Sequence, residues 1–139
     1  MRTLFLTVLA ATSLLLGGCA STAGGDITLG TWHLTSITSI HRQEIVPVEA
    51  MANYTLTFND DGTFDAKADC NQVSGTYTIV DKSVLTMTVG PSTLAACPEG
   101  SLSDEYVQLL GDVKTYSIAG DQMTLTLEDS SELLFQTRT

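Results

Sequence analysis

Apolar and polar residues alternate with a period of two along most of the chain from Asp26 onward. Tyr54, Leu56 and Phe58, for example, alternate with threonines, and the tight-turn sequence 59–62 (Asn-Asp-Asp-Gly) follows directly. Such alternation is typical of strands with one buried face, and Asx and glycine residues favour the turns between strands. The pattern therefore predicts a mainly β domain of short antiparallel strands.

The alternation also indicates which side chains face inward. We expect a short edge strand at residues 44–46 within a longer loop, since Pro47 disfavours a central strand there. In the strand after the first turn, small residues face inward at Ala66, Ala68 and Cys70, which indicates that another element packs closely on them. The aromatic residues at inward positions are expected in the core: Trp32, Tyr54, Phe58, Phe64, Tyr77 and Phe135.

One segment has helical spacing instead. Tyr106, Leu109, Leu110 and Val113 recur on one helical face, and Ser103 is the predicted N-cap. Together, the patterns predict an α+β fold that is mainly β. We expect an antiparallel, barrel-like sheet of about seven or eight strands, with one short helix that plugs or flanks it.

The first residues have the pattern of a secretory signal. Arg2 precedes an apolar run, and Gly17-Gly18 is a small-residue cleavage site. The sequence Leu16-Gly17-Gly18-Cys19 resembles a bacterial lipobox, in which the cysteine is lipidated. We therefore predict a lipoprotein signal peptide at residues 1–18, a lipidated cysteine and flexible tether at 19–29, and one domain at 30–139.

Lipidation at Cys19 predicts membrane attachment through acyl chains, which hold a protein firmly when several are present. The residue after Cys19 is Ala20 and not aspartate, which by resemblance favours the outer membrane, with the domain facing the periplasm. After removal of residues 1–18, the chain carries five basic and sixteen acidic residues, a net charge of −11. Such a surface repels nucleic acid and gains nothing from anionic lipid head groups.

Several motifs occur in the order typical of one family. They are Gly30-Thr-Trp-His-Leu, Leu56-Thr-Phe before Asp-Gly, Cys70-Asn71 with Gly75-Thr-Tyr77, Ser92-Thr93 to Ala96-Cys97-Pro98, the helix Glu105 to Leu110, and Gly120-Asp121 before Leu125-Thr-Leu127. Over about residues 30–136 the chain resembles the META domain family of HslJ-like heat-shock lipoproteins. The motif residues carried over are Asp69, Cys70, Asn71, Gly75, Tyr77, Thr93, Cys97 and Pro98.

The resemblance implies a compact antiparallel β domain with one helix, frequently on an envelope lipoprotein. It implies no known catalytic activity. Members of the family are associated with heat shock, drug tolerance and secretion, and the fold resembles that of pilot lipoproteins.

Two cysteines remain after lipidation, and an even pair in an oxidising compartment favours a Cys70–Cys97 disulfide. Such a bridge would stabilise the fold by about 3 to 4 kcal/mol in the loop-entropy model. The alternatives are two buried free thiols or a redox pair, although there is no Cys-X-X-Cys sequence. Asn71 is expected either to bond the backbone where the strand bends before Gly75 or to line a binding mouth.

No catalytic set stands out. His33 and His41 have no acidic or cysteine partner at metal-ligand spacing, and no serine lies in a Gly-X-Ser-X-Gly sequence. We expect no metal, no cofactor and no enzyme activity. The first hypothesis is a non-enzymatic envelope lipoprotein that binds or stabilises another envelope component, in stress or drug tolerance. The second is a carrier or sensor of a lipid or small apolar ligand between helix and sheet, and the third is a hydrolase.

Overall fold

The structure is a computed structural model that describes residues 26–137. The predicted signal peptide, Cys19 and the first part of the tether lie outside the described residues. One helix, α1, spans Ser103–Gly111, and a single 3₁₀ turn spans Met51–Asn53. The strands are β1 (Thr31–Ser39), β2 (Glu44–Pro47), β3 (Tyr54–Phe58), β4 (Thr63–Ala68), β5 (Asn71–Val80), β6 (Val84–Ser92), β7 (Val113–Ala119), β8 (Gln122–Leu127) and β9 (Glu132–Thr137).

Eight of these strands close into an antiparallel barrel. They pair in the order β1-β3-β4-β5-β6-β7-β8-β9, and β1 pairs with β9 to complete the circle, with Leu34 opposite Phe135. The remaining strand, β2, pairs with the second half of β1 at the edge predicted from the sequence. Closure pairs the strand edges that an open sheet would expose, although β6 and β7 pair at one position only, Val84↔Thr115. The predicted fold class is confirmed, and β2 is the strand beyond the eight of the barrel.

The buried side chains fill the barrel interior. Five of the six aromatic residues expected in the core are buried, and Tyr77 is half-buried. The small residues Ala66 and Ala68 are also buried, on β4, which is one of the strands that α1 contacts. The inward row of small residues therefore accommodates the helix, as the sequence predicted for these two positions.

The prediction for Cys70 was wrong, because β4 ends at Ala68. Asp69 and Cys70 form a two-residue turn, so that Ala68 pairs with Asn71 across the hairpin. Asp69 adopts a left-handed backbone conformation with φ of 57°, which aspartate tolerates better than most residues. As a result, Cys70 is exposed, and β5 begins four residues before the predicted Gly75.

The two ends of the barrel differ. Because β1 and β3 are antiparallel, the registers Thr31↔Thr57 and Tyr54↔Ala68 place the start of β1 and the start of β3 at opposite ends. We call the first the entry end, since the described chain begins there; it also contains the turns at residues 59–62, 81–83 and 120–121. We call the second the helix end, since it contains α1, the Asp69–Cys70 turn and the segment 93–102.

Helix α1 lies across the helix end. The ring of Tyr106 contacts Tyr54 of β3 edge-on, with centroids 5.8 Å apart, and lies 6.3 Å from the ring of Phe135 of β9. The same helix also packs on β4, the neighbour of β3, and on β6. Tyr106 and Leu110 are fully buried, so the helix closes this end.

Between residues 26 and 137, no helix has the length and apolar character that crossing a membrane requires.

Candidate functional site

The two cysteines of the helix end form a disulfide. Cys70 and Cys97 are joined with their Cα atoms 5.5 Å apart, and they are 27 positions apart in sequence. Cys70 lies in the turn between β4 and β5, and Cys97 lies in the segment between β6 and α1 that has no regular secondary structure. The bond therefore ties this irregular segment, residues 93–102, to the barrel.

Asn71 makes a second connection to the same segment. Its side-chain Oδ1 accepts hydrogen bonds from the Ala95 N–H at 2.8 Å and from the Thr93 hydroxyl at 2.9 Å. Its Nδ2 donates to the Ala95 carbonyl at 3.2 Å and to Ser103 Oγ at 3.1 Å, and it lies 3.4 Å from Cys97 Sγ. The Asn71 side chain is buried, with the residue only 5% exposed. We call these contacts the Asn71 network.

The contacts of Asn71 and Ser103 differ in part from those expected from the sequence. Asn71 bonds the backbone, which was one of its two expected roles, but it bonds Ala95 from the first position of a continuous β5 and not at a bend before Gly75. Ser103 does not cap α1: the N-cap position is Leu102, without a side-chain cap, and Ser103 is a buried partner of Asn71. The hydroxyl is therefore used to connect helix and strand.

Further bonds fix both ends of the irregular segment. Thr93 N–H donates to the Gln72 carbonyl at 3.0 Å, and Gln72 N–H donates to Thr93 Oγ1 at 3.0 Å, so the β5–β6 ladder extends by one residue. At the other end, the hydroxyl of Tyr54 accepts a hydrogen bond from Leu102 N–H at 2.9 Å. The segment is thus irregular in form but is held at several points along its length.

The remaining motif residues have other positions. Asp69 donates its N–H to the Asn53 carbonyl at 2.7 Å, in the turn beside Cys70, and Pro98 follows the disulfide. Gly75 lies in the middle of β5 opposite Phe64, and Tyr77 lies nearer the entry end, where its hydroxyl donates to the Asn59 carbonyl at 2.8 Å. The structure brings together Cys70, Asn71, Thr93 and Cys97, and it places Gly75 and Tyr77 in the packing of the barrel.

Two of the open surface clefts that adjoin the segment extend to α1 or to the residues around β2. One, of about 490 Å³, lies between the residues 92–96 and the N-terminal half of α1, with Val107 and Gln108 in its wall. The other, of about 370 Å³, is lined by the residues after β2, by Tyr54 and by residues 98–102. Leu94 borders the first cleft and is 96% exposed. Leu94 was not identified from the sequence. The alternation does not show that β6 ends before this residue, so it does not indicate that the Leu94 side chain is exposed.

The charges at this end are mainly negative. Arg42 pairs with Glu44 at 2.9 Å and with Glu105 of α1, and Lys114 pairs with Glu128 at 3.6 Å. Of the carboxylates that line the two clefts and their surroundings, four have no Lys, Arg or His nitrogen within 4.0 Å in the range 26–137: Glu49, Asp69, Glu99 and Asp104.

Hydrogen bonding and burial shift the pKa values of two titratable groups near this end of the barrel. The Ser131 N–H donates to the Asp129 carboxylate at 2.8 Å and lowers the pKa of that group below its usual value, and His41 adds to the effect. Burial raises the pKa of the Tyr106 phenol well above 10.

His33 Nδ1 lies 3.3 Å from the Met51 carbonyl, away from His41, and no cluster of three metal-ligating side chains is found within the described part of the chain.

The comparisons agree with this fold. A family model described as META domain matches residues 25–139. An NMR structure of a protein from Burkholderia xenovorans aligns with a TM-score of 0.69 and 18% identity over 97% of this chain and 99% of that chain. A crystal structure of a DUF4847 family protein from Bacteroides vulgatus aligns with a TM-score of 0.58 and 16% identity over 81% and 94% of the two chains. No curated protein matches the sequence.

Proposed function

Because the chain belongs to the META domain family, we propose that it is a non-enzymatic lipoprotein of the bacterial cell envelope. In this proposal Cys19 carries the lipid anchor, and the barrel domain binds or stabilises another envelope component, under envelope stress or in drug tolerance. The site of attachment is the outer membrane, with the domain facing the periplasm.

The observation that carries the proposal is the Cys70–Cys97 disulfide. Disulfides persist in oxidising compartments such as the periplasm and are rare in the cytosol. Together with the lipobox-like sequence before Cys19, the disulfide supports export of the domain across the inner membrane. The anchor supplies attachment, and the periplasm supplies the oxidising conditions.

The Asn71 network supports a structural role for the motif residues. Both polar atoms of the Asn71 side chain already have partners within the protein, so a reacting group would have to replace existing hydrogen bonds. A buried polar group in this state rigidifies its surroundings. The arrangement suits a domain that presents a fixed surface to a partner.

The carrier function has less support. It requires space between helix and sheet, above the small residues of β4. Tyr106 and Leu110 are fully buried there, and the helix packs on the strand that carries Ala66 and Ala68. The two clefts described above are open at the surface, beside the helix and not beneath it.

The proposal is tested by expressing the full chain with its leader in a two-membrane bacterium, beside a Cys19→Ala variant. We expect the mature protein to carry the mass of the acyl groups and to sediment with the outer membrane, whereas the variant does neither. In the native host, a deletion strain should lose tolerance to envelope stress, and only the anchored protein should restore it.

An unacylated mature chain, or a deletion strain with normal stress tolerance, would contradict the proposal. A lipid that remains bound during native mass spectrometry of the domain from Ser21 onward would support the carrier function instead.

A further inference from the structure

Leu94 is the most exposed large apolar side chain of the described residues. Single exposed apolar residues are common on protein surfaces, so exposure alone identifies nothing. What distinguishes Leu94 is its position beside the cleft of about 490 Å³ and within the irregular segment. We define the Leu94 surface by the residues Leu94, Ala95, Ala96, Asp104, Val107 and Gln108.

The Leu94 surface is held in place before any partner arrives. The residues on both sides of Leu94 are bonded to Asn71, at the Thr93 hydroxyl and at both backbone groups of Ala95. The disulfide at Cys97 fixes the chain two residues further along. A segment that is already ordered loses little conformational entropy on binding, which favours affinity.

The orientation of the barrel leaves this surface accessible. Cys19 precedes Asp26 by seven residues, which span at most about 25 Å when extended. Asp26 is at the entry end, while the Leu94 surface is at the helix end, which is the opposite end of the barrel. A domain anchored through Cys19 can therefore turn the Leu94 surface away from the bilayer and toward other envelope proteins.

The negative charge around Leu94 favours a partner with basic side chains over a second copy of this chain. Asp104 lines the same cleft as Leu94, while Glu99 and Asp69 line the cleft of about 370 Å³ on the same segment. None of these three carboxylates has a cationic partner among residues 26–137. A second copy would bring the same carboxylates together, and the net charge of −11 on residues 19–139 would oppose that contact. A partner with basic side chains would instead gain from it.

We propose that the Leu94 surface docks a basic segment of an envelope protein, one that presents an apolar side chain or pocket to Leu94 and lysine or arginine side chains to Asp104 and Glu99. This inference rests on the proposed function, since it names the surface and the partner chemistry for the binding role.

The test places a photocrosslinking residue, p-benzoylphenylalanine, at Gln108 of the full lipidated chain in living cells. A matched probe at Gln122 reports on the entry end, because Gln122 is also an exposed glutamine and lies at the opposite end of the barrel. The crosslinked peptide is then identified by mass spectrometry. We expect a protein crosslink at Gln108 to a segment rich in lysine or arginine, and none of that protein at Gln122.

Surface variants then test the contacts. Leu94→Ser is expected to lower the Gln108 crosslink yield by about tenfold, as for loss of a central interface contact. Its matched control, Leu29→Ser, changes another exposed leucine, 64% exposed at the entry end, and should leave the yield unchanged. Glu99→Gln and Asp104→Asn should each lower it by about two- to fivefold.

Each other outcome overturns the inference. A crosslink to lipid, to a second copy or to an acidic segment, or a yield unaffected by Leu94→Ser, excludes the Leu94 surface as the basic-segment site. A crosslink at Gln122 alone moves the binding site to the entry end and leaves the proposed function intact. Absence of acylation at Cys19, read from the mature mass, instead removes the proposed function itself.

Discussion

The side-chain amide of Asn71 pairs with both backbone groups of Ala95. Oδ1 accepts from the Ala95 N–H at 2.8 Å, and Nδ2 donates to the Ala95 carbonyl at 3.2 Å. Asn71 thus does with a side chain what a neighbouring strand would do with its backbone. Because the segment after β6 has no strand partner at this point, this pairing and the adjacent disulfide determine where Leu94 lies.

Replacing Asn71 by alanine should lower the free energy of unfolding by about 3 kcal/mol, because several buried hydrogen bonds are lost and their partners remain. Gln72→Ala is the matched control: its side chain is exposed on the same strand, and the change should be within about 0.5 kcal/mol. Denaturant unfolding of the oxidised domain measures both. Equal effects for the two variants would show that the Asn71 network contributes no stability.

Replacing Cys70 and Cys97 together by serine should lower the free energy of unfolding by about 3 to 4 kcal/mol, through release of the constraint on the unfolded chain. The barrel itself should still form, since closure of β1 on β9 does not involve either cysteine. Urea unfolding of the double variant, followed by tryptophan fluorescence of buried Trp32, tests this expectation. A variant as stable as the parent chain would contradict it.

Gly75 occupies a position where no side chain fits. A Cβ built there would lie 2.3 Å from the Thr88 carbonyl oxygen and 2.5 Å from Cε1 of Phe64. Gly75→Ala should therefore destabilise the domain by about 3 kcal/mol or more, or prevent folding.

The control for Gly75 is Gly111, at the end of α1, where the nearest atom to an added Cβ is 3.8 Å away. Gly111→Ala should be neutral or should stabilise the protein by up to about 1 kcal/mol, since alanine restricts the unfolded chain. Thermal unfolding of both variants compares them. A tolerated Gly75→Ala would mean that β5 and β6 lie further apart than described.

Tyr106 should make the domain sensitive to high pH. Its hydroxyl donates to the Thr55 carbonyl at 3.2 Å, and burial raises the pKa of the phenol above the unfolded value of 10.0. The neutral phenol is thus favoured by folding, so this contribution is fully present below pH 10 and is lost as the pH rises beyond it. At higher pH the loss approaches about 1.4 kcal/mol per pH unit.

Tyr106→Phe should be about 1 kcal/mol less stable than the parent at pH 7, because one hydrogen bond is missing. Its stability should fall less steeply between pH 10 and 11, because phenylalanine does not ionise. Unfolding free energies of both proteins at the two pH values provide the measurement. Parallel pH profiles would show that the Tyr106 phenol is not shielded from solvent.

The strands and the core could be predicted from the sequence because both depend on local alternation. Phe58 and Phe64 were expected inward from their neighbours alone, and both are buried. Cys70 was misplaced because alternation cannot show where a strand ends. The left-handed conformation of Asp69 begins the turn, so β4 ends at Ala68, two residues before the end that the pattern indicates. Ser103 was misassigned because its partner, Asn71, is 32 residues away in sequence.

The same limit applies to the Leu94 surface. Its components come from two parts of the chain, the segment after β6 and the first turns of α1, and only the fold brings them together. No periodicity in either part indicates that they share a cleft. The motif residues were found by resemblance, whereas the exposed leucine beside them was not.

The most direct test of the account is amide hydrogen exchange at Ala95 and Ala96 in the oxidised domain, followed by NMR. We expect slow exchange at Ala95, whose N–H is bonded to Asn71, and fast exchange at Ala96, for which no hydrogen-bond acceptor is found among residues 26–137. Protection at Ala95 should disappear in Asn71→Ala and persist in Gln72→Ala. Fast exchange at both alanines in the parent chain would contradict the central claim that Asn71 and the disulfide hold this segment as a fixed surface.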